Sequence, residues 1–286
     1  MNRIADYIAL TKPRIVLVFM LTGMAALAVE GSLARDPLWL TLLFLAIGAT
    51  AGSANGFNQY VERELDAVMR RTREKRPLPA GRLRPRNAWI FSLALGIFAC
   101  GLLAWRFTLL SAALAAATIL FYVLFYTMWL KPRTPYNIVI GGAAGATAPL
   151  IAWAAATGTI GWPAWLLFAV IFFWTPPHFW SLALCCMDDY RRAGFPMLPV
   201  ARGEARTRGA ILRYTILVAP MPLLLALNPA VGWSYLLGAA LLGAGFCWFA
   251  VRVYRERTTT AARALFGYSI LYLLLLSVLL TVDAGM

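Results

Sequence analysis

The sequence is dominated by apolar runs that are long enough to cross a membrane. Runs of roughly 18 residues or more recur from one end of the chain to the other, and each would span a hydrocarbon core of about 30 Å as a helix. Helices are required because lipid cannot satisfy an exposed backbone. With 61% hydrophobic and 13% charged residues, the chain is far more apolar than a soluble domain. The sequence therefore predicts an all-α, polytopic integral membrane bundle.

We place about nine transmembrane helices in a single domain, residues 1–286. The first span continues past the length of a signal peptide and has no cleavage site before the next span, which favours a retained helix. The predicted spans are residues 15–34, 38–57, 88–105, 108–129, 137–156, 162–185, 210–229, 231–251 and 264–283. This division leaves two long connections, residues 58–87 and 186–209.

The basic residues sort to one side of this bundle. When the connections are assigned alternately to the two sides, all of the 26 Lys and Arg residues except Arg35 and Arg106 fall on the same side. The positive-inside rule makes that side cytoplasmic, with the amino terminus inside and the carboxyl terminus outside. We therefore expect a protein of a prokaryotic cytoplasmic (inner) membrane with its active site at the cytoplasmic face. The net charge of +14 comes from basic residues that lie beside the membrane. The lipid bilayer is therefore the expected partner, and nucleic acid is not.

A polar stripe follows the second predicted span. Its members fall at steps of three, four and four, which places them on one face of a continuing helix. They are Asn55, Asn58, Glu62 and Asp66. Amide and carboxylate oxygens that leave waters in place are how proteins hold Mg²⁺ against phosphates. Asp188 and Asp189 begin the second long connection, so Glu62, Asp66 and these two, four of the twelve acidic residues, cluster at the heads of the two connections. A solvated helix end, paired with Arg63 or Arg70, is the alternative interpretation.

Arginines follow the stripe directly. Residues 70–72 read Arg-Arg-Thr, and residues 76–79 read Arg-Pro-Leu-Pro. Guanidinium groups pair bidentately with phosphate oxygens, which suits a diphosphate held by Mg²⁺. A positive-inside loop that touches only lipid headgroups is the alternative. Acids at helical spacing beside the arginines favour the diphosphate.

The stripe resembles the first motif of the UbiA superfamily of membrane prenyltransferases: Asn, three residues, Asp or Glu, three residues, Asp. Asn58, Glu62 and Asp66 match this motif. The segment from Arg71 to Leu78 is similar to the superfamily's diphosphate-side segment, although three residues separate Thr72 from Arg76 where two are more usual.

The second half of the chain resembles the haem-farnesylating branch of that superfamily. The resemblance rests on residues 175–180, Thr-Pro-Pro-His-Phe-Trp, and residues 189–199, which begin Asp-Tyr-Arg-Arg. Residues 11–14 and 134–137 are also similar to this branch. The residues four positions after Asp188 and Asp189 are Arg192 and Ala193, so the second Asp-three-Asp motif of aromatic-ring prenylating relatives is absent. Ala148 and Ala152 stand where Pro and Gly are expected.

The resemblance implies Mg²⁺-dependent transfer of a farnesyl group from farnesyl diphosphate to a vinyl group of haem b, with addition of water. It implies catalytic roles for Asn58, Glu62, Asp66 and Asp189. The implied metal ligands are Asn55, Asn58, Glu62, Asp66, Asp188 and Asp189. The implied diphosphate-binding residues are Lys12, Arg14, Arg71, Arg76 and Lys131. His178, the only histidine, would be an iron ligand, an orienting group or a structural residue. A haem A synthase or a terminal oxidase assembly partner is a further expected contact.

Three other functions account for parts of the sequence. A Mg²⁺-dependent prenyltransferase for an aromatic acid or quinone precursor would share the first motif and would be active without haem. A secondary transporter would place its acids in mid-helix near the bilayer centre, whereas these acids lie at helix ends. A role as a structural assembly factor would not explain the polar stripe.

Overall fold

The computed structural model describes residues 3–285, and all the regular elements in that range are helical. In chain order they are α1 Arg3–Thr11, α2 Pro13–Glu30, a 3₁₀ turn Ser32–Ala34, α3 Pro37–Val68, α4 Pro85–Arg106, α5 Leu109–Leu120 continued by the π-helix Phe121–Leu130, α6 Asn137–Gly145, α7 Ala148–Thr157, α8 Trp162–Cys185, α9 Met187–Arg192, α10 Leu198–Arg202, α11 Glu204–Val218 followed by the 3₁₀ helix Met221–Leu227, α12 Trp233–Glu256 and α13 Thr259–Ala284.

Nine segments of the described chain are long and apolar enough to cross a membrane, which confirms the predicted all-α membrane bundle. Residues 137–157 form one of these spans, made of α6 and α7, and residues 109–130 and 204–227 are two others. The helices run further than predicted at the end that carries the long connections. The second span continues to Val68 and the seventh begins at Glu204. Hydropathy marks where the apolar residues stop, whereas the backbone hydrogen bonds continue into the charged residues.

Prolines divide or bend several of these helices. Pro13 ends α1, because proline has no N–H to donate and disfavours a helical conformation in the preceding residue. That residue, Lys12, adopts a left-handed conformation with φ of 56°. Such a conformation in a residue other than glycine costs of order 1–3 kcal/mol and is held by its surroundings. Pro176 and Pro177 lie inside α8.

Helix α2 runs through the middle of the bundle and contacts α7 on one side and α13 on the other. Small residues bring α2 and α7 together. An added Cβ at Gly23 would lie 3.5 Å from both the Ala148 carbonyl oxygen and the Ala152 Cβ. Close approach of helix backbones through small residues is the usual way that membrane helices associate, because lipid gives no hydrophobic drive between them. Ala148 and Ala152 are therefore packing residues.

Gly141 allows α6 to pack closely against Tyr126 of the π-helix. A Cβ at this position would overlap the ring of Tyr126. We expect Gly141→Ala to lower the free energy of unfolding by about 1–3 kcal/mol, the usual cost of overfilling a packed core. Gly101 on α4 has no atom within 4 Å of the same added carbon, so Gly101→Ala is the matched control. Thermal unfolding in detergent measures both variants, and equal stability of the two would contradict the prediction.

Candidate active site

The two long connections meet at one end of the bundle. The first follows α3, the second span, and the other follows α8, the sixth span, so both lie on the same side. Asp189 on α9 accepts hydrogen bonds from the backbone N–H groups of Arg70 and Arg71, both at 3.1 Å, and from the Arg192 side chain. Burial opposes ionisation, but these donors hold the pKa of Asp189 below its usual range. Asp189 thus fastens the second connection to the first.

The polar stripe of α3 faces the interior of the protein. Asn58, Glu62 and Asp66 expose 2%, 2% and 0% of their surface. Both polar atoms of the Asn58 side chain make a hydrogen bond, because Oδ1 accepts from Lys12 Nζ at 2.9 Å and Nδ2 donates to Thr127 Oγ1 at 3.2 Å. The left-handed turn between α1 and α2 therefore delivers Lys12 to the stripe.

Two cations neutralise the carboxylates. Glu62 forms an ion pair with Lys131, and its Oε2 lies 3.7 Å from Arg76 Nη1. The same Arg76 nitrogen bonds to Asp66. Buried charges need partners of this kind, because removal from water costs several kcal/mol per ion. Burial and the nearby Arg76 guanidinium lower the pKa of Lys12 well below its usual value. Three basic side chains thus surround two acidic ones.

The oxygen atoms of this stripe suit Mg²⁺. Asp66 Oδ1 is buried and has no hydrogen-bond partner in the described chain, so one carboxylate oxygen remains available. With a carboxylate from Glu62 and an amide from Asn58, the donors are all of the hard oxygen type that Mg²⁺ prefers. Within residues 3–285, no three His, Cys, Asp or Glu side chains cluster tightly enough to hold one metal ion. The donor set is therefore one amide and two carboxylates.

Asn55 and Gln59 form hydrogen bonds with the last carbonyls of α1 and not with the carboxylates of the stripe. Asn55 Nδ2 donates to the carbonyl of Thr11 at 3.1 Å, and Gln59 Nε2 donates to the carbonyls of Leu10 at 2.8 Å and Ala9 at 3.3 Å. The last carbonyls of a helix have no partner within it, so these amides satisfy them. Sequence reasoning missed Gln59, although glutamine at membrane depth is itself a signal of an interhelical bond.

Asp188 and Arg14 lie outside the cluster. The Asp188 side chain is 84% exposed and pairs with Arg191 at 2.9 Å. Arg14, on the first turn of α2, is exposed. Asp189 points to the backbone of the first connection, as described above. Of the six candidate metal ligands, the structure brings together only Asn58, Glu62 and Asp66.

The π-helix supplies the opposite wall of the site. Thr127 in this segment and Lys131 directly after it both reach α3, and Thr127 also donates to the carbonyl five residues earlier, at Tyr122. Runs of π-helix are rare and frequently occur at functional sites, because the wider turn changes which side chains share a face. Sequence reasoning identified Lys131 but missed Thr127, since helical spacing does not reveal a change of pitch.

Aromatic rings connect the cations to α8. Lys131 Nζ lies 4.7 Å from the centroid of Phe195, a cation–π distance. The Phe195 ring is 6.5 Å from that of Tyr190, which is 6.2 Å from Phe179. Arg71, another candidate for the diphosphate, lies over the same Tyr190 ring at 6.0 Å. The acidic cluster and α8 are therefore joined by one apolar wall.

His178, adjacent to Phe179, lies between two aromatic rings. Its imidazole stacks on Trp174 at 4.4 Å and on Phe266 of α13 at 4.7 Å. Its Nδ1 lies 2.7 Å from the Ser269 hydroxyl oxygen. Both ring faces are covered, so only the edge of the imidazole that carries Nε2 can meet a further group.

Asp188 and Asp189 form a matched pair for mutation. We expect Asp189→Asn to loosen the first connection, because the amide keeps one oxygen acceptor but replaces the other with nitrogen, so one of the Arg70 and Arg71 N–H groups loses its acceptor. Activity should fall about 10- to 100-fold, as loss of a charged hydrogen bond predicts. Limited proteolysis should also cut residues 69–84 faster. The exposed Asp188→Asn serves as control, and the prediction fails if the two variants behave alike.

Fold and site together define an integral membrane prenyltransferase, with its polar cluster at one end of the bundle. The chain belongs to the UbiA prenyltransferase family, whose sequence profile matches residues 16–278.

Relatives with assigned names cover nearly the whole chain. A protohaem IX farnesyltransferase of Symbiobacterium thermophilum is 47% identical over 98% of this chain and 94% of its own length. The protein of the same name from Gloeobacter violaceus is 45% identical over 98% of this chain and 92% of its own.

Solved structures share the fold at low identity. A digeranylgeranylglyceryl phosphate synthase superposes with a TM-score of 0.80 at 18% identity, covering 100% of this chain and 99% of that one. A UbiA homologue of Archaeoglobus fulgidus, bound to DMAPP and Mg²⁺, superposes with a TM-score of 0.65 at 15% identity, covering 96% and 99%. These likenesses show that the whole bundle shares their fold.

Proposed function

We propose that the protein transfers a farnesyl group from farnesyl diphosphate to a vinyl group of haem b, with addition of water, to give haem O and diphosphate. One observation carries the proposal: the buried stripe of Asn58, Glu62 and Asp66 lies among the cations Lys12, Arg76 and Lys131. Support for the haem acceptor comes from the named relatives, which are protohaem IX farnesyltransferases at 45–47% identity.

The residues of the cluster divide between metal and diphosphate. Asn58, Glu62 and Asp66 would hold Mg²⁺ through their oxygens. When bound, Mg²⁺ supplies positive charge that stabilises the departing diphosphate. Lys12, Arg76 and Lys131 contact the side chains of this cluster and would bind the diphosphate. Arg71 would assist from the edge of the site, whereas Arg14 lies outside the cluster. Asp189 orders the first connection around it.

Positive charge at the position of the diphosphate favours the breaking of the first bond. The allylic carbon–oxygen bond of farnesyl diphosphate ionises, and the positive side chains stabilise the anion as it forms. The vinyl carbon of haem b attacks the allylic cation. Water then adds to the cation beside the porphyrin and releases one proton, which leaves a hydroxyethylfarnesyl group. The buried position of the cluster keeps water from capturing the allylic cation first.

Incubation of the purified protein with haem b, farnesyl diphosphate and Mg²⁺ tests this function, with mass detection of haem O. A haem adduct that requires all three components is the expected result. Prenylation of a phenolic acid or quinone precursor without a haem product would instead favour the aromatic-ring prenyltransferase. That function retains the same cluster and changes only the acceptor.

His178 should serve the acceptor and not the donor. We expect His178→Ala to weaken haem binding by about tenfold or more, the scale set by loss of partners around a metal-bound histidine. Farnesyl diphosphate binding should not change, because the His178 ring contacts Trp174, Phe266 and Ser269 and takes no part in the polar cluster. Absorption titration with haem and binding of labelled farnesyl diphosphate measure the two affinities. Equal losses of both would contradict this assignment.

The charge asymmetry gives the proposed orientation. With the basic connections in the cytoplasm, the amino terminus and the active site face the cytoplasm of a prokaryotic cell and the carboxyl terminus lies outside. Both the farnesyl chain and the product are lipophilic, so exchange within the bilayer is favoured. Direct transfer of the product to a haem A synthase or a terminal oxidase assembly partner would avoid release into water.

A further inference from the structure

Ser269 makes two links between α13 and α8. Its backbone carbonyl accepts from Trp174 Nε1 at 2.9 Å, and its hydroxyl oxygen lies 2.7 Å from His178 Nδ1. Trp174 and His178 are four residues apart and so share a face of α8. The same hydroxyl donates to the Phe266 carbonyl, one turn earlier on α13, at 2.7 Å.

The proton count at this hydroxyl fixes the tautomer of His178. A serine hydroxyl has one proton and two lone pairs. The hydroxyl donates its one proton to the Phe266 carbonyl, which can only accept, so the Ser269 oxygen accepts from the imidazole. We infer that Ser269 holds His178 in the tautomer that carries its proton on Nδ1, which leaves Nε2 as the nitrogen that binds the haem iron.

The surroundings of the ring agree with this role. Trp174 and Phe266 cover both faces and prevent the ring from turning over, yet they leave its edge open, and a metal binds in the plane of the ring. His178 is partly exposed, and its Nε2 has no hydrogen-bond partner in the described chain. Histidines that bind metals almost always donate their other nitrogen's proton to a fixed partner, which raises the basicity of the ligating nitrogen. Ser269 is then a positioning residue.

The inference rests on the proposed function, because it takes haem as the acceptor. Its first test, however, needs neither haem nor farnesyl diphosphate. His178 is the only histidine in the sequence, so ¹⁵N-histidine labelling reports one imidazole, provided that the protein is purified through a tag without histidine. In nanodiscs, we expect nitrogen NMR to show the proton on Nδ1.

Two variants at Ser269 distinguish a change in the His178 tautomer from a change in the fold. Ser269→Thr retains the hydroxyl and should retain the proton on Nδ1. Ser269→Ala removes the acceptor but leaves the backbone carbonyl that binds Trp174, so the helices stay joined and the proton should move largely to Nε2. A wild-type protein with the proton on Nε2, or an unchanged tautomer in Ser269→Ala, would overturn the inference.

Haem titration tests the ligand role. Wild type and Ser269→Thr should show the absorption and EPR spectra of a nitrogen-ligated haem that His178→Ala lacks. Ser269→Ala should bind haem about tenfold more weakly, as expected when the outer partner of a metal-bound histidine is lost. A haem spectrum that is the same in all four proteins would refute iron ligation. Haem O production in the wild type is followed separately, so its absence would count against the proposed function while the NMR result still decides the tautomer.

Discussion

Asp66→Asn is expected to abolish nearly all activity, with a fall in kcat/KM of about 10³-fold, the scale on which loss of a fixed charge at a reacting centre acts. Asp66 combines a carboxylate oxygen that bonds to Arg76 with a second, buried oxygen that has no hydrogen-bond partner among residues 3–285. The amide has the same shape but carries no charge, so it leaves Arg76 without its neighbour and weakens the metal site. Initial rates of haem O formation give the value.

Glu64 provides the control on the same helix. It lies two residues before Asp66, its side chain is 84% exposed, and it pairs with the neighbouring Arg63. Glu64→Gln should leave the rate unchanged, because exposed ion pairs contribute little. Thermal unfolding establishes that both variants are folded. Near-normal activity of Asp66→Asn would exclude the carboxylate from the reaction.

Arg76→Gln should change two affinities in opposite directions. The Arg76 side chain is only 17% exposed and contacts both carboxylates. It therefore neutralises the negative charge that a metal ion would otherwise balance. Arg76 and Lys131 already balance the charges of Glu62 and Asp66, so a further cation gains little attraction. Removal of Arg76 leaves one negative charge that a cation can neutralise. We expect Mn²⁺ to bind more tightly to the substrate-free variant, as measured by EPR.

The same change should weaken diphosphate binding. A guanidinium gives charged hydrogen bonds worth about 1.5–3 kcal/mol, so the KM for farnesyl diphosphate should rise about 10- to 100-fold. Arg73 lies on the same connection with a side chain that is 67% exposed, which makes Arg73→Gln the matched control. If Mn²⁺ and farnesyl diphosphate affinities fell together, Arg76 would be a structural support and not an exchangeable counter-ion.

These two results would define how the site is loaded. A cluster whose carboxylates are already paired with cations would attract a diphosphate more strongly than a free divalent ion. The diphosphate would compete with Asp66 for Arg76 and would supply negative charge for the metal. Substrate and metal would then bind cooperatively, since each supplies charge that the other needs.

The stripe on α3 was predictable because helical spacing is local. Asn55, Asn58, Glu62 and Asp66 share a face through the backbone period alone. Their roles were not predictable to the same extent. Asn55 closes the end of α1, and Asp189 fastens two connections, because each meets a partner that the sequence does not place beside it. The roles of Gln59 and Thr127 were not predicted, because the function of an amide or hydroxyl depends on the donor or acceptor that the fold places beside it.

The sequence alone determined that nine apolar segments form helices, since lipid leaves the backbone no other way to satisfy its hydrogen bonds. It also determined that one helix presents an amide and two acids at a regular spacing. The tertiary structure decided which charges meet. Lys12 reaches Asn58 across 46 residues, and Lys131 reaches Glu62 across 69. Such contacts depend on helix packing, a proline break and a stretch of π-helix, and buried ions select the arrangement in which all of them are paired.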